Sequence, residues 1–119
     1  MISKGLAYEE LALHFLLRKG LQEIQRNFHT KFGEIDLIMK EKNTIVFVEV
    51  RFRKTDTYGS AAESVTPRKQ NRIIKSAKIY LSKQHLSDIE SRFDVIAISP
   101  SKNPYNRNKI DWHKAAFTC

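Results

Sequence analysis

Two carboxylates interrupt apolar, strand-like stretches of this sequence, where an isolated charge costs stability. Asp36 lies in GEIDLIMK (33–40), and Glu49 lies in the β-branched and aromatic run over 44–53. One or two carboxylates on adjacent strands are the ligands that Mg²⁺ prefers when it also takes phosphate oxygens from a substrate. The chemistry that these residue types could perform is metal-assisted cleavage of a phosphodiester.

The register of the predicted hairpin decides whether the two acids meet. A turn centred between Lys42 and Asn43 places Asp36 opposite Glu49, with Cβ atoms about 5 Å apart. Glu34 and Arg51 then lie on the same face of the hairpin. Like charges at this separation repel and raise the pKa of one acid, so either a network of ion pairs or a divalent cation must compensate them. A register slip of one residue would place Asp36 on the opposite face and remove the pair.

The surrounding pattern predicts the elements that position these acids. Apolar residues at helical spacing over 4–19, followed by Gly20, predict helix A; Thr66-Pro67 and the spacing that follows predict helix B over roughly 67–83. Further strands are predicted at 21–28, 92–99 and 110–117, with a turn at 29–32 and loops at 55–64 and 100–109. The order αβββαββ predicts an α/β fold, with a central mixed β-sheet flanked by helices, in a single domain spanning 1–119.

Composition narrows the range of partners. The 119 residues include 21 lysines and arginines against 13 aspartates and glutamates, a formal charge of +8. This excess favours a polyanionic partner such as nucleic acid, although a solvated basic surface is the alternative. Cys119 is the single cysteine, which excludes an internal disulfide and a paired-cysteine zinc site. No apolar segment has the length of a membrane span, so we expect a cytoplasmic protein with no membrane partner.

The densest basic region lies just after the second acid and at the start of helix B. Its members are Arg51, Arg53, Lys54, Arg68, Lys69, Arg72 and Lys75. We expect them to contact backbone phosphates of nucleic acid, which position a duplex or strand without reading its sequence. Tyr58 and Phe52 are candidates for stacking on a base, with a core position as the alternative for Phe52.

The spacing Asp36-x12-Glu49-x-Arg51 resembles the motif of the PD-(D/E)XK nuclease superfamily. Further blocks over nearly the full length resemble the YraN-like family of bacterial proteins, uncharacterised protein family 0102, which is similar to the archaeal Holliday-junction resolvases. These blocks are Gly5-x3-Glu9-x2-Ala12, GEIDLI (33–38), VFVEVR (46–51), SVTPRKQ (64–70), RFDVIAI (92–98) and Ala116-Phe117. The acid motif alone has little specificity, whereas its combination with these blocks is specific.

The resemblance implies a restriction-endonuclease-like fold and a cation site. Asp36, Glu49 and the Val50 carbonyl would hold Mg²⁺ or Mn²⁺, and Glu9 would reach the same site from helix A. Spacing alone gives Glu9 no more than a solvated helix position. Because junction-cutting relatives act as dimers, the resemblance also makes a homodimer one assembly to expect.

One position departs from the superfamily pattern. Arg51 stands where lysine is most common, and arginine stays protonated at physiological pH, so it can orient phosphate but cannot accept a proton. Lys69 at the start of helix B is the candidate to supply the amine, and Gln70 could add a hydrogen bond. The alternatives are a solvated first-turn lysine and an ordinary helix-face glutamine.

Three functions therefore stay open from the sequence. The first is a Mg²⁺-dependent endonuclease acting on DNA, including branched DNA of the Holliday-junction type. The second is a nucleic-acid-binding module that keeps the nuclease fold with little or no hydrolysis. The third is a small interaction protein whose basic face docks an acidic protein.

Overall fold

The structure is a computed structural model that describes residues 4–54, 62–101 and 108–118. The elements in chain order are α1 (Lys4–Arg18), β1 (Gln22–Thr30), β2 (Gly33–Glu41), β3 (Thr44–Phe52), a 3₁₀ turn (Ala62–Ser64), α2 (Pro67–Lys83), β4 (Ser91–Pro100) and β5 (Asn108–Phe117). The predicted order of two helices and five strands is confirmed.

The five strands form one sheet in the order β1-β2-β3-β4-β5. All neighbouring strands are antiparallel except β3 and β4, which run parallel because α2 carries the chain back across the sheet. Leu37 lies opposite Val48, so the predicted register of the β2–β3 hairpin is confirmed where these two strands pair. This is the α/β architecture with a mixed sheet that the sequence predicts.

The two helices cover opposite faces of the sheet. Val46 and Val48 pack in one core with Leu13 and Leu16 of α1. The alternate residues of β3 point the other way, into a second core beneath α2. That core includes Ile45, Phe47, Ile73, Ala77 and Tyr80. Strand β3 is therefore buried on both faces, which explains its almost uninterrupted apolar sequence. The arrangement is compatible with a restriction-endonuclease-like fold.

Local signals set the helix ends that matter for the site. Gly20 has φ +96°, and the N–H groups of Gly20 and Leu21 donate to the carbonyls of Leu17 and Leu16, so a left-handed residue closes α1. At the start of α2, Thr66 Oγ1 accepts a hydrogen bond from the Lys69 N–H at 3.2 Å. This cap fixes the first turn of α2, which carries Lys69.

The turn between β1 and β2 is shorter than predicted. His29 and Thr30 pair with Glu34 and Gly33, so β1 extends through the first half of the turn predicted at 29–32. A two-residue connection, Lys31-Phe32, remains, and Gly33 follows it with φ +140°, a conformation that other residues rarely adopt. Most of the predicted loops at 55–64 and 100–109, including Tyr58, lie outside the described residues.

Asp94 is the other acid in an apolar strand, and its role is structural. Its side chain is fully buried and accepts hydrogen bonds from Trp112 Nε1 (2.9 Å), the Ala115 N–H (2.9 Å) and Arg92 Nε (3.0 Å). Ala115 has φ +50°, and the register between β4 and β5 shifts beside Asp94. The carboxylate thus holds the irregular end of β5 against β4.

Neither helix within the described ranges is long and apolar enough to cross a membrane.

We expect Asp94→Asn to lower the free energy of unfolding by about 1–3 kcal/mol, since it removes a buried charge-assisted hydrogen bond and leaves the partly buried Arg92 with Glu41 as its remaining charged partner. Urea denaturation measures the change. Asp88→Asn is the control, because Asp88 is exposed and its substitution should alter stability by less than about 0.5 kcal/mol. Equal stabilities for the two variants would contradict this role for Asp94.

Candidate active site

The β2–β3 hairpin opens at Asp36. Pairing between the strands runs from the turn up to Leu37 and Val48, and there, in place of a continued ladder, Asp36 Oδ2 accepts a hydrogen bond from the Val50 N–H at 2.8 Å. Ile35 belongs to the core beneath α2, whereas Leu37 belongs to the core beneath α1. Regular alternation would place both on one face, so β2 changes its facing at Asp36. Asp36 therefore lies where the two strands separate.

Three carboxylates from two elements converge at this opening. One oxygen from each of Glu9, Glu34 and Asp36 lies within 4.8 Å of the other two. Glu9 comes from α1, whose N-terminal half is held against the end of β3 by the stacking of Tyr8 on Phe52, with ring centroids 4.4 Å apart. The sequence analysis places Glu34 on the same hairpin face as Asp36 and Glu49 but assigns it no role in the site.

Asn27 joins two of these acids. Its Nδ2 donates to Glu9 Oε1 at 2.7 Å and to Glu34 Oε1 at 2.5 Å, which uses both amide hydrogens. Asn27 has φ +52° and falls in the gap in β1–β2 pairing opposite Asp36. Asparagine tolerates this left-handed conformation better than most residues. Sequence reasoning missed Asn27, and the signal was an asparagine, which strands disfavour, inside a predicted strand.

Burial and neighbouring acids raise the pKa values of Asp36 and Glu9. Burial, followed by the charge of Glu49 and a hydrogen bond with it, raises the pKa of Asp36 to about 9. Burial also raises the pKa of Glu9, and the charges of Glu34 and Glu49 add to this, while the Asn27 hydrogen bond opposes it. In the absence of a cation, the site therefore retains a proton on Asp36 at neutral pH.

Glu49 has a basic partner. Its side chain is 3% exposed, and Lys69 Nζ of α2 lies 2.6 Å from Glu49 Oε2. The orientation falls short of a hydrogen bond, so the contact is an ion pair. Within the described residues, no lysine or arginine pairs with Asp36. An ion pair therefore compensates one member of the acid pair and leaves the other uncompensated.

The structure separates the other predicted site residues. Arg51 is partly buried, and its Nε lacks a hydrogen-bond partner among the described residues. Gln70 Nε2 donates to the Val65 carbonyl at 2.9 Å, so its amide ties the first turn of α2 to the segment before it. Lys69, the residue that the sequence analysis names as the candidate amine in place of Arg51, therefore lies beside Glu49.

A cleft of about 280 Å³ contains the acid pair. Asp36, Glu49 and Lys69 line it together with Arg72 of α2 and with Glu34. An adjoining groove is lined by Arg68, Arg72 and Lys75. Of the predicted basic residues, Arg51, Arg53 and Lys54 line neither cavity in the part of the chain that the structure describes.

The donor set fits a hard cation. Glu9, Glu34 and Asp36 offer carboxylate oxygens, and such all-oxygen ligands suit Mg²⁺ and Mn²⁺. Glu49 would join them on release from Lys69. The Val50 carbonyl stays a predicted ligand. The backbone N–H of the same residue donates a hydrogen bond to Asp36.

Asp36→Asn should stabilise the metal-free protein at pH 7 by about 0.5–2 kcal/mol, because the aspartate must take up a proton when the chain folds at this pH, whereas the amide is neutral in both states. The folded-state pKa of about 9 exceeds the ordinary 3.8, so the native state binds more protons between these values and stability falls as pH rises through them. Thermal melts in chelator from pH 4 to 9 should show this fall in the unsubstituted protein and a reduced slope in the variant. Equal slopes would contradict the burial of an ionisable Asp36.

Asn27→Gly should keep the backbone, since glycine accepts positive φ, while removing the amide that Glu9 and Glu34 share. We expect the pKa of Glu9 to rise further, because the lost hydrogen bond favours the charged form. Carboxyl ¹³C shifts followed by NMR titration measure it. An unchanged or lower Glu9 pKa in a folded variant would contradict the bridging role.

Comparison with known proteins identifies the family. The model of the uncharacterised protein family UPF0102 matches residues 8–98. A UPF0102 protein of Vibrio parahaemolyticus is 52% identical over 103 residues, covering 86% of this chain and 85% of the relative. One of Vibrio vulnificus is 48% identical, covering 96% and 91%, and one of Nitrosomonas europaea is 44% identical, covering 97% and 93%. The family expected from the sequence blocks is thus confirmed, and the chain belongs to UPF0102.

Proposed function

We propose that this protein is a metal-dependent endonuclease that hydrolyses phosphodiester bonds in DNA, with branched DNA as a candidate substrate. The observation that carries the proposal is the convergence of Glu9, Glu34 and Asp36 within 4.8 Å, beside the Lys69–Glu49 ion pair. A polar site of this kind at the opening of a hairpin costs stability, and a nuclease is the function that would use all of its parts. DNA fits the formal charge of +8 and the basic groove that adjoins the cleft.

Glu9, Glu34 and Asp36 would hold Mg²⁺ or Mn²⁺, with Glu49 and the Val50 carbonyl as further ligands. Such an ion, when bound, withdraws charge from a phosphate and orients it for in-line attack by water. The raised pKa of Asp36 supports this assignment, because a cation offsets the burial and the repulsion that otherwise keep a proton on the site.

The basic residues of the cleft have separate tasks. The Lys69 side chain is 43% exposed, so it can turn from Glu49 towards a phosphate that enters the cleft. Arg72 lines the same cleft, and its guanidinium can bind non-bridging phosphate oxygens in bidentate fashion. Together they would stabilise the negative charge that develops on the pentavalent phosphorus.

One observation favours a second candidate, a DNA-binding module without hydrolysis. Arg51 replaces the lysine of the superfamily motif and does not line the cleft. In that case the acids would be a remnant site, while the basic groove keeps its function. For either function we infer a cytoplasmic location from the composition, and the likeness to resolvases makes a homodimer one assembly to test.

The decisive assay is nicking of supercoiled plasmid and cutting of a synthetic four-way junction in Mg²⁺ or Mn²⁺. We expect Asp36→Asn and Glu49→Gln each to lower the rate by about 100-fold or more, since each removes charge from the cation site. Asp88→Asn, purified identically, should retain full activity, because Asp88 follows the C-terminal end of α2 while Lys69 lies in its first turn.

Equal cleavage by all of these proteins would reveal a contaminant or a different site and contradict the proposal. Absence of cleavage by the unsubstituted protein, together with salt-dependent DNA binding, would favour the binding module. Absence of both would favour an acidic protein partner.

A further inference from the structure

A groove of about 620 Å³ lies between the β1–β2 turn and α2, next to the carboxylate cleft. Its walls carry four cationic side chains, Lys31 from the turn and Arg68, Arg72 and Lys75 from α2, and none of its lining residues is acidic. Sequence reasoning includes the three α2 residues among phosphate contacts but gives the turn no role. The turn is the feature that converts a basic helix face into a two-walled groove.

The four cations of the groove lie close together without an acidic residue in its lining. Among the described residues, none of the four forms an ion pair with a carboxylate. Two arginines elsewhere in the described residues are paired: Arg26 contacts Glu10 and Glu23, and Arg92 contacts Glu41 and Asp94. Four like charges that line one cavity repel each other, and a bound polyanion relieves that repulsion.

Phe32 organises two of these charges. The Nζ atoms of Lys31 and Lys75 both lie 5.2 Å from the centroid of its ring, within the range of cation–π attraction. The turn that carries Phe32 is anchored by Thr30, whose Oγ1 accepts a hydrogen bond from the Phe32 N–H at 3.0 Å and contacts Ser76 Oγ of α2 at 2.7 Å. The aromatic ring thus holds one lysine from each wall at a fixed place.

The groove is continuous with the cleft. Phe32, Gly33 and Arg72 line both cavities, so a chain lying in the groove leads directly to Asp36 and Glu49. Arg68 and Lys75 are separated by about 10 Å along the helix axis. Each strand of a DNA duplex advances about 3.4 Å per nucleotide along the helix axis, so this length corresponds to about three nucleotides of a duplex.

We propose that this groove binds the sugar–phosphate backbone of the DNA strand that continues from the bond to be cut, with Phe32 as the residue that positions Lys31 and Lys75. The inference rests on the proposed nuclease function and deepens it, because it assigns one side of the cleft to the flanking strand. The β1–β2 turn is then part of the substrate site.

Fluorescence anisotropy with a labelled 12-nucleotide single-stranded DNA, in chelator and over a range of salt, tests the groove without cleavage. The logarithm of the association constant falls with the logarithm of the salt concentration. Each lost phosphate contact should make this slope shallower by about 0.7, which corresponds to about 5-fold weaker binding at 0.1 M salt. We expect this for Lys31→Ala and Lys75→Ala, and a several-fold weaker Kd for Phe32→Leu. Lys75→Gln, which keeps much of the aliphatic stem, repeats the test.

Lys83→Ala is the matched control, since Lys83 is an exposed lysine at the far end of α2. It should leave Kd and slope unchanged, and equal losses for Lys83 and Lys75 variants would overturn the groove in favour of a diffuse charge effect. Inorganic phosphate, at the same concentration of phosphate groups, should not displace the oligonucleotide; displacement would overturn a strand-binding groove. Circular dichroism checks that each variant is folded.

A separate cleavage assay distinguishes the two proposals. If Mg²⁺-dependent cleavage occurs but Lys31 and Lys75 variants bind and cut like the unsubstituted protein, the groove is wrong and the nuclease stands. If the variants lose binding as expected but no protein cleaves, the groove stands as a DNA site and the nuclease function is wrong.

Discussion

The burial of Asp36 beside Glu49, where β2 stops pairing with β3, is an unfavourable interaction that the surrounding elements must offset. Two neighbouring carboxylates repel each other when both are charged, and burial strengthens the repulsion by removing water. The fold compensates with the Val50 N–H on Asp36 and Lys69 on Glu49. The two apolar cores on either face of the sheet supply the stability that allows a polar defect at its centre.

The contrast between Asp36 and Asp94 shows how the surroundings decide the role of a buried acid. Both interrupt apolar strands and read alike in the sequence. Asp94 is surrounded by donors, namely an arginine, an indole and a backbone N–H, so its buried oxygens have hydrogen-bond partners where β5 joins β4. Asp36 has one backbone donor and three acidic neighbours, and within the described residues no basic side chain pairs with it.

Features with local causes could be predicted from the sequence. Gly20 ends α1, Thr66-Pro67 begins α2, and strand periodicity sets the hairpin register that brings Asp36 towards Glu49. Features that arise from contacts between distant elements could not. The left-handed Asn27 joins a helix residue to a strand residue, and the change of facing at Asp36 breaks the periodicity on which strand prediction relies. Likewise, only the placement of α2 shows that Lys69 reaches the acids while Gln70 caps its own helix turn.

The same packing explains why the site combines residues that are remote in sequence. Helix α1 contributes Glu9, and strand β2 contributes Glu34 and Asp36. Helix α2 contributes Lys69 and Arg72 from the opposite face of the sheet. They meet where the β2–β3 hairpin opens: Glu9 approaches Glu34 and Asp36 from the α1 side, while Lys69 and Arg72 line the cleft with Asp36 from the α2 side. Closing that opening with a regular ladder would bury the acids without access to solvent or substrate.

The most direct test is anomalous diffraction from crystals soaked in Mn²⁺. The account predicts a manganese peak at the hairpin opening, bonded to oxygens of Asp36 and at least one of Glu9, Glu34 and Glu49, with the Lys69 ammonium displaced. A fully soaked crystal with no peak there, and with Lys69 still paired to Glu49, would contradict it.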